Sequence, residues 1–141
     1  MEKFASLQAN QGVNPLPYNP CKLLGFELVV LTDGQTVKGS TADREVLAVL
    51  LGGKATFEVA GKTFEKVGGR ANVFGGKPYS VYMPAGADYT ITGVGKVQIA
   101  MTSAPSDLEA EPYVIAPSQV ANGIWGAANF KRYYHEILTS T

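Results

Sequence analysis

The sequence predicts an all-β protein, an antiparallel sandwich or barrel. Three observations carry that expectation. Apolar and polar residues alternate in one short run after another, the period of a strand with one face buried. Sixteen glycines and eight prolines break up the 141 residues, so turns are frequent. No helical period survives for three turns through the central part of the chain.

Taken in order, the first strong run is "FELVVL" (26–31), closed by "TDGQ", in which Asp33-Gly34 is a turn dipeptide. "VLAVLL" (46–51) is expected to end at Gly52-Gly53. "KATFEVAGKTFEKV" then reads as a hairpin about Ala60-Gly61, with Ala55, Phe57 and Val59 on one face of its first arm. "ANVF" is a further strand that stops at Gly75-Gly76, and "YSVYM" stops at Pro84-Ala85-Gly86. "DYTIT" stops at Gly93, and "KVQIAM" (96–101) places Val97, Ile99 and Met101 on one face. Six to ten short strands result. A turn or two of helix is expected only near "SQVANG" (118–123).

The run "VLAVLL" is apolar on both faces, unlike a strand with water on one side. It is therefore expected to be covered twice, by the core and by an outer strand, a partner domain or a second subunit. The texture changes at Ser103, where "SAPSDLEAEPYVIAPSQV" reads as an exposed connection leading to the aromatic segment "ANFKRYYHEIL". Residues 1–105 are thus expected to form the core with an N-terminal arm. Residues 106–141 form a C-terminal extension that packs on the core or on a partner.

Length and composition describe one ordinary globular domain, 45% hydrophobic and 17% charged. Twelve basic and twelve acidic residues cancel, which argues against nucleic acid or an anionic membrane as partner. No apolar run approaches the roughly 20 residues that span a bilayer. The single cysteine, Cys21, is expected to be a small buried hydrophobe, and its solitude fits the cytoplasm.

Glu45 is the residue that most invites a chemical reading, because it stands at the mouth of the apolar run. It shares strand parity with Thr41, Leu47 and Val49 and is expected to face inward. Buried there, it needs a partner. Arg44 and Arg70 are the basic candidates, and a small ligand is the alternative. Arg70 has the planar fork that suits a carboxylate, whether that of Glu45 or of a sugar acid. Tyr82 and Tyr89 are expected to line the mouth or to fill the core. Glu45, Arg70, Tyr82 and Tyr89 together make the candidate small-molecule or structural polar site. His135, the only histidine, lacks partners for metal or proton-transfer chemistry and reads as a surface or interface residue. Trp125, Tyr113, Phe130, Tyr133 and Tyr134 make the last third aromatic, as in interface cores.

These residues resemble the cupins. Gly34, Glu45 and Gly52 match the frame of the first cupin motif, and Pro84-Ala85-Gly86 matches the Pro-x-Gly of the second. The histidines of the motifs are replaced: by Gly39 and Thr41, or by Lys38 and Ser40 at the alternative spacing, and by Tyr89. More narrowly, "LLGFELVVLTDGQT", the run from "REVLAVLLGG" to "VYMPAG", and "IAMTSAP" resemble the N-terminal half of the 5-deoxy-glucuronate isomerases. Those are two-cupin aldose–ketose isomerases of inositol breakdown, related to the 5-keto-4-deoxyuronate isomerases. Gly68, Arg70, Val73 and Phe74 belong to the same texture, and "IWGAANFKRYYHEIL" is similar to the crossover into the second cupin.

The resemblance implies that the metal ligands lie in the other cupin. No catalytic residue, metal or cofactor is then expected in this chain, and no isomerase activity from it alone. The partners implied are a second cupin domain or further copies of the chain. A freestanding module that binds a sugar acid, or a structural self-associating module, is the alternative.

Overall fold

The structure, a computed structural model, describes residues 5–139. It is all-β and antiparallel, with strands β1 (Gly12–Pro15), β2 (Gly25–Leu31), β3 (Thr36–Ser40), β4 (Arg44–Val59) and β5 (Lys62–Gly68). There follow β6 (Ser80–Met83), β7 (Asp88–Pro105), β8 (Tyr113–Ile115), β9 (Ala121–Trp125) and β10 (Arg132–Glu136). One 3-10 turn, Pro117–Gln119, precedes β9. No described helix is long and apolar enough to cross a membrane.

Two long strands organise everything else. The first half of β4 and the second half of β7 pair from Arg44↔Pro105 to Leu50↔Ile99, inside a front layer ordered β1-β2-β7-β4-β6-β8. The second half of β4 and the first half of β7 pair from Lys54↔Val94 to Val59↔Tyr89, and β3 and β5 flank them to make a back layer. The layers form a cupin-like sandwich that does not close into a barrel.

The expected ends at Gly52-Gly53 and Gly93 are instead bends within continuous strands. The β4–β7 register shifts on both sides of Gly52, and Val94–Gln98 of β7 loops past Gly52–Lys54. Gly53 has φ of +87°, and a Cβ there would collide with the carbonyl oxygen of Lys96. Only glycine lets the two backbones approach this closely. At the far end of β4, Ala60 and Gly61 both have positive φ, 48° and 81°, the turn expected for a two-residue hairpin.

Between the layers lies one core. Val29, Leu31, Val46, Ala48, Leu50, Val81, Met83, Ile99 and Met101 point in from the front. Ala55, Phe57, Val59, Val67 and Ile91 meet them from the back. Phe57 is fully buried, and burial of such a side chain contributes about 3 kcal/mol.

Three further expectations are corrected. "ANVF" is not a strand: Ala71–Phe74 lies in the loop between β5 and β6, with Phe74 94% exposed. The helical turn near 118–123 is confined to Pro117–Gln119, and the chain is extended again from Ala121. Cys21 is exposed rather than buried, because it precedes β2 in a turn where its N–H donates to Asn19 Oδ1. Beyond the connection, β8 pairs with β6 in the front layer, whereas β9 and β10 form a separate two-stranded ribbon.

Candidate functional site

The four sequence-chosen residues fall in three places. Glu45 and Tyr82 meet, Arg70 stands at the bend, and Tyr89 stands between the layers at the opposite end.

Glu45 does not face inward. A turn at Ala42-Asp43, closed by the Arg44 N–H to the Thr41 carbonyl at 3.1 Å, separates Thr41 from β4 and breaks the counted parity. In β4 the inward residues are Val46, Ala48 and Leu50, so Glu45, Leu47, Val49 and Leu51 line the outer face. There the Tyr82 hydroxyl donates to Glu45 Oε2 at 2.7 Å, and the Tyr82 ring stacks on Tyr113 at 5.0 Å. The partner of Glu45 is thus a phenol, and neither Arg44 nor Arg70.

Burial, with smaller contributions from the hydrogen bond and charge of Glu45, pushes the Tyr82 hydroxyl from 10.0 up to about 12. Below pH 10 both folded and unfolded chains keep that proton. As pH rises toward 12 the unfolded chain ionises first, so stability is lost across that window. Tyr82→Phe is expected to shrink the loss, read as the urea midpoint between pH 9 and pH 11.5; an unchanged slope would refute the assignment.

Arg70 is a structural staple. Its Nε and Nη2 donate to the Leu50 carbonyl at 3.2 and 3.1 Å, and Nη1 donates to the Gly76 carbonyl at 2.8 Å. Every guanidinium nitrogen is therefore engaged by backbone, tying the 70–76 loop to β4. Partial burial lowers its pKa without approaching neutrality.

Tyr89 faces in from the back layer, with its ring lying over Gly39: a Cβ there would stand 2.5 Å from Tyr89 Oη. Thr41, 4% exposed, donates to the Pro84 carbonyl at 2.8 Å and accepts from the Ala87 N–H at 2.8 Å. The cupin ligand positions therefore hold a glycine, a saturated threonine, an outward glutamate and a tyrosine. Lys38 and Ser40, the alternative pair, are exposed. This donor set does not fit a divalent transition metal, which needs three or four converging imidazole, thiolate or carboxylate donors. Among the described residues no three His, Cys, Asp or Glu side chains converge.

Of two further mouth residues, Glu27 is absent from the sequence-based site and Arg44 enters it only as a possible partner of Glu45. Glu27 has the parity of Val29 and Leu31 and so points between the layers; burial raises its pKa above 4.5. Arg44 has the parity of Val46, and its Nε donates to Ser103 Oγ at 3.0 Å, its Nη2 to the Leu23 carbonyl at 2.6 Å. Together with Tyr89, Thr41, Ser103 and Met101 they line a cleft of 330 Å³. The signal was present in "GFELVV", where an acid takes an inward position among apolar residues.

The second prominent feature is surface. The outer side of the front layer carries Phe26, Leu28 and Val30 of β2 and Leu47, Val49 and Leu51 of β4, with Thr102, Ala100 and Gln98 of β7 between the two rows. The same face of β4 beyond the bend carries Thr56 and Glu58. The β9–β10 ribbon exposes Ile124 (57%), Trp125 (64%) and Tyr133 (79%), although a lone two-stranded ribbon is marginal in water. Tyr133 and His135 share one of its faces, and Tyr134 packs on Trp125 on the other.

The chain is similar to several known proteins. The chain is 40% identical over 116 residues to the 5-deoxy-glucuronate isomerase of Geobacillus kaustophilus (strain HTA426), covering 82% of this chain but 42% of that protein. It superposes on an IolB-like protein of Salmonella typhimurium LT2 with TM-score 0.86 and 26% identity, over 95% of this chain and 52% of that one. The cupin domain of Schizosaccharomyces pombe Cnp3, 20% identical with TM-score 0.52 over 72% of this chain, shares the fold alone. The chain thus spans about half the length of the curated relatives it matches. The model of the KduI/IolB family matches residues 5–141, and the chain belongs to that family.

Proposed function

We propose that this chain is the metal-free, non-catalytic cupin half of a sugar-acid isomerase assembly, related to 5-deoxy-glucuronate isomerase. It acts as scaffold and interface for a metal-bearing second cupin or for further copies of itself. The observation that carries this reading is the donor set at the mouth. Gly39, Thr41 and Tyr89 stand at the ligand positions, and Glu45 is turned to the opposite face, hydrogen-bonded to Tyr82. The half-length match and the apolar front face support the same reading.

In such an assembly a metal in the other half supplies Lewis-acid chemistry at a sugar carbonyl. This chain's residues supply surface: the outer face of β4 and β2, and the aromatic ribbon. Co-expression with the second half of the Geobacillus kaustophilus relative tests the proposal. The two halves are expected to co-purify, with bound metal and 5-deoxy-glucuronate turnover found only when the second half is present. Stoichiometric transition metal, or turnover, in this chain alone would overturn it.

A further inference from the structure

The cleft between the two layers holds groups that the scaffold reading leaves without work. We infer that it is a binding site for a neutral polyhydroxylated small molecule, a monosaccharide or cyclitol. The inference goes beyond the assembly proposed above and does not require it.

The groups converge from both layers. Glu27 and Ser103 lie on adjacent front strands, where Glu27 pairs with Met101 and Gly25 pairs with Ser103. Arg44 enters at the start of β4, and Tyr89 reaches in from the back layer. The Glu27 carboxylate has no hydrogen bond or ion pair with any described residue, although the residue is partly buried; the one ion pair among them joins Lys62 to Glu111 elsewhere. A half-buried carboxylate left unpartnered costs stability, since its desolvation is uncompensated. Burial and the neighbouring charge of Glu27 both raise the Tyr89 hydroxyl's pKa, so that hydroxyl keeps its proton and can donate it.

The remaining groups lining the cleft add hydrogen-bond donors. Ser103 Oγ accepts from Arg44 Nε, which leaves its own proton free to donate. Arg44 Nη1 makes no hydrogen bond among the described residues, whereas Nε and Nη2 are held by Ser103 and Leu23. Met101 and Val46 give the cleft an apolar wall. The one acid and the one base cancel in charge, which favours a neutral ligand over an anion. A sugar hydroxyl donates to Glu27 and accepts from Tyr89, Ser103 or Arg44, so that each polar group is satisfied. The volume of 330 Å³ admits one sugar ring.

Saturation-transfer NMR and calorimetry on the full 141-residue chain test this, with D-glucose, D-galactose, D-mannose, myo-inositol and D-glucuronate as probes. At least one neutral probe is expected to bind saturably at up to roughly 50 mM, the weak range open to a few hydrogen bonds in an open cleft. Glu27→Gln and Tyr89→Phe are each expected to weaken it about ten-fold. The melting temperature of Glu27→Gln should not fall, because the uncompensated charge is gone, and Arg70→Lys should leave binding unchanged. Absence of saturable binding by every probe, affinity unaltered in both variants, or a preference for D-glucuronate over all neutral probes would overturn the inference. None of these readouts involves the second half or turnover, so they fail separately from the assembly proposal.

Discussion

Gly53→Ala is expected to destabilise the fold by roughly 3 kcal/mol or more, a large share of the 5–15 kcal/mol typical of a domain. Two costs combine. Alanine at φ of +87° is strained by about 1 kcal/mol. Its Cβ would also meet the Lys96 carbonyl and stand 2.9 Å from Val97 Cα, both backbone, so no side chain can swing aside. The collision falls where β4 and β7 pass from one layer to the other, and relief would pull the layers apart. Gly61→Ala is the internal control: its φ is +81°, yet a Cβ there meets nothing within 4 Å. It should cost only the strain. Urea unfolding of the two variants checks this, and equal midpoints would remove the steric account.

Leu47→Glu is expected to weaken association with the second cupin half at least 100-fold while the isolated chain stays folded. Leu47 is half-buried on the outer face of the front layer, paired with Tyr82 on one side and Thr102 on the other. A carboxylate placed there is desolvated by a partner without gaining a cation, which costs about 3 kcal/mol or more in an interface core. Glu58→Lys alters the outer face of the same strand beyond the bend, among polar neighbours, and should leave association unchanged. Sedimentation of the co-expressed halves reads both, with circular dichroism reporting the fold. Retained association in Leu47→Glu would place the interface elsewhere.

The fold was largely legible because alternation survives wherever one face is buried. Ala55, Phe57 and Val59, and Val97, Ile99 and Met101, occupy the core positions their spacing requires. The doubly apolar "VLAVLL" matches a strand with its core side fully buried and its outer side half-covered. Failures came at glycines and at the site. Gly52-Gly53 has the composition of a turn, and composition cannot tell a strand end from a bend whose partner strand loops past it. Glu45 was misplaced because parity was counted across Ala42-Asp43, a turn carried by an alanine at φ of 51° rather than by a glycine. Glu27 occupies no motif position, although plain alternation with Val29 and Leu31 aims it between the layers. The fork of Arg70 suits the carboxylate of Glu45 or of a ligand equally by type; that the 70–76 loop and β4 together aim three backbone carbonyls at the guanidinium is a tertiary fact that no local pattern records.

The sharing of β4 and β7 by both layers also governs how the molecule can be born. Arg44 pairs with Pro105, and the early strands β2, β3 and β4 all have the late strand β7 as a neighbour. During synthesis neither layer can be completed until the ribosome has released that segment, so β2 and β4, though they can pair with β1, β5 and β6, each emerge with one edge unpaired. Topology of this kind slows folding and leaves nascent chains open to aggregation. Slow recovery after rapid dilution from denaturant is the result expected from that one pairing.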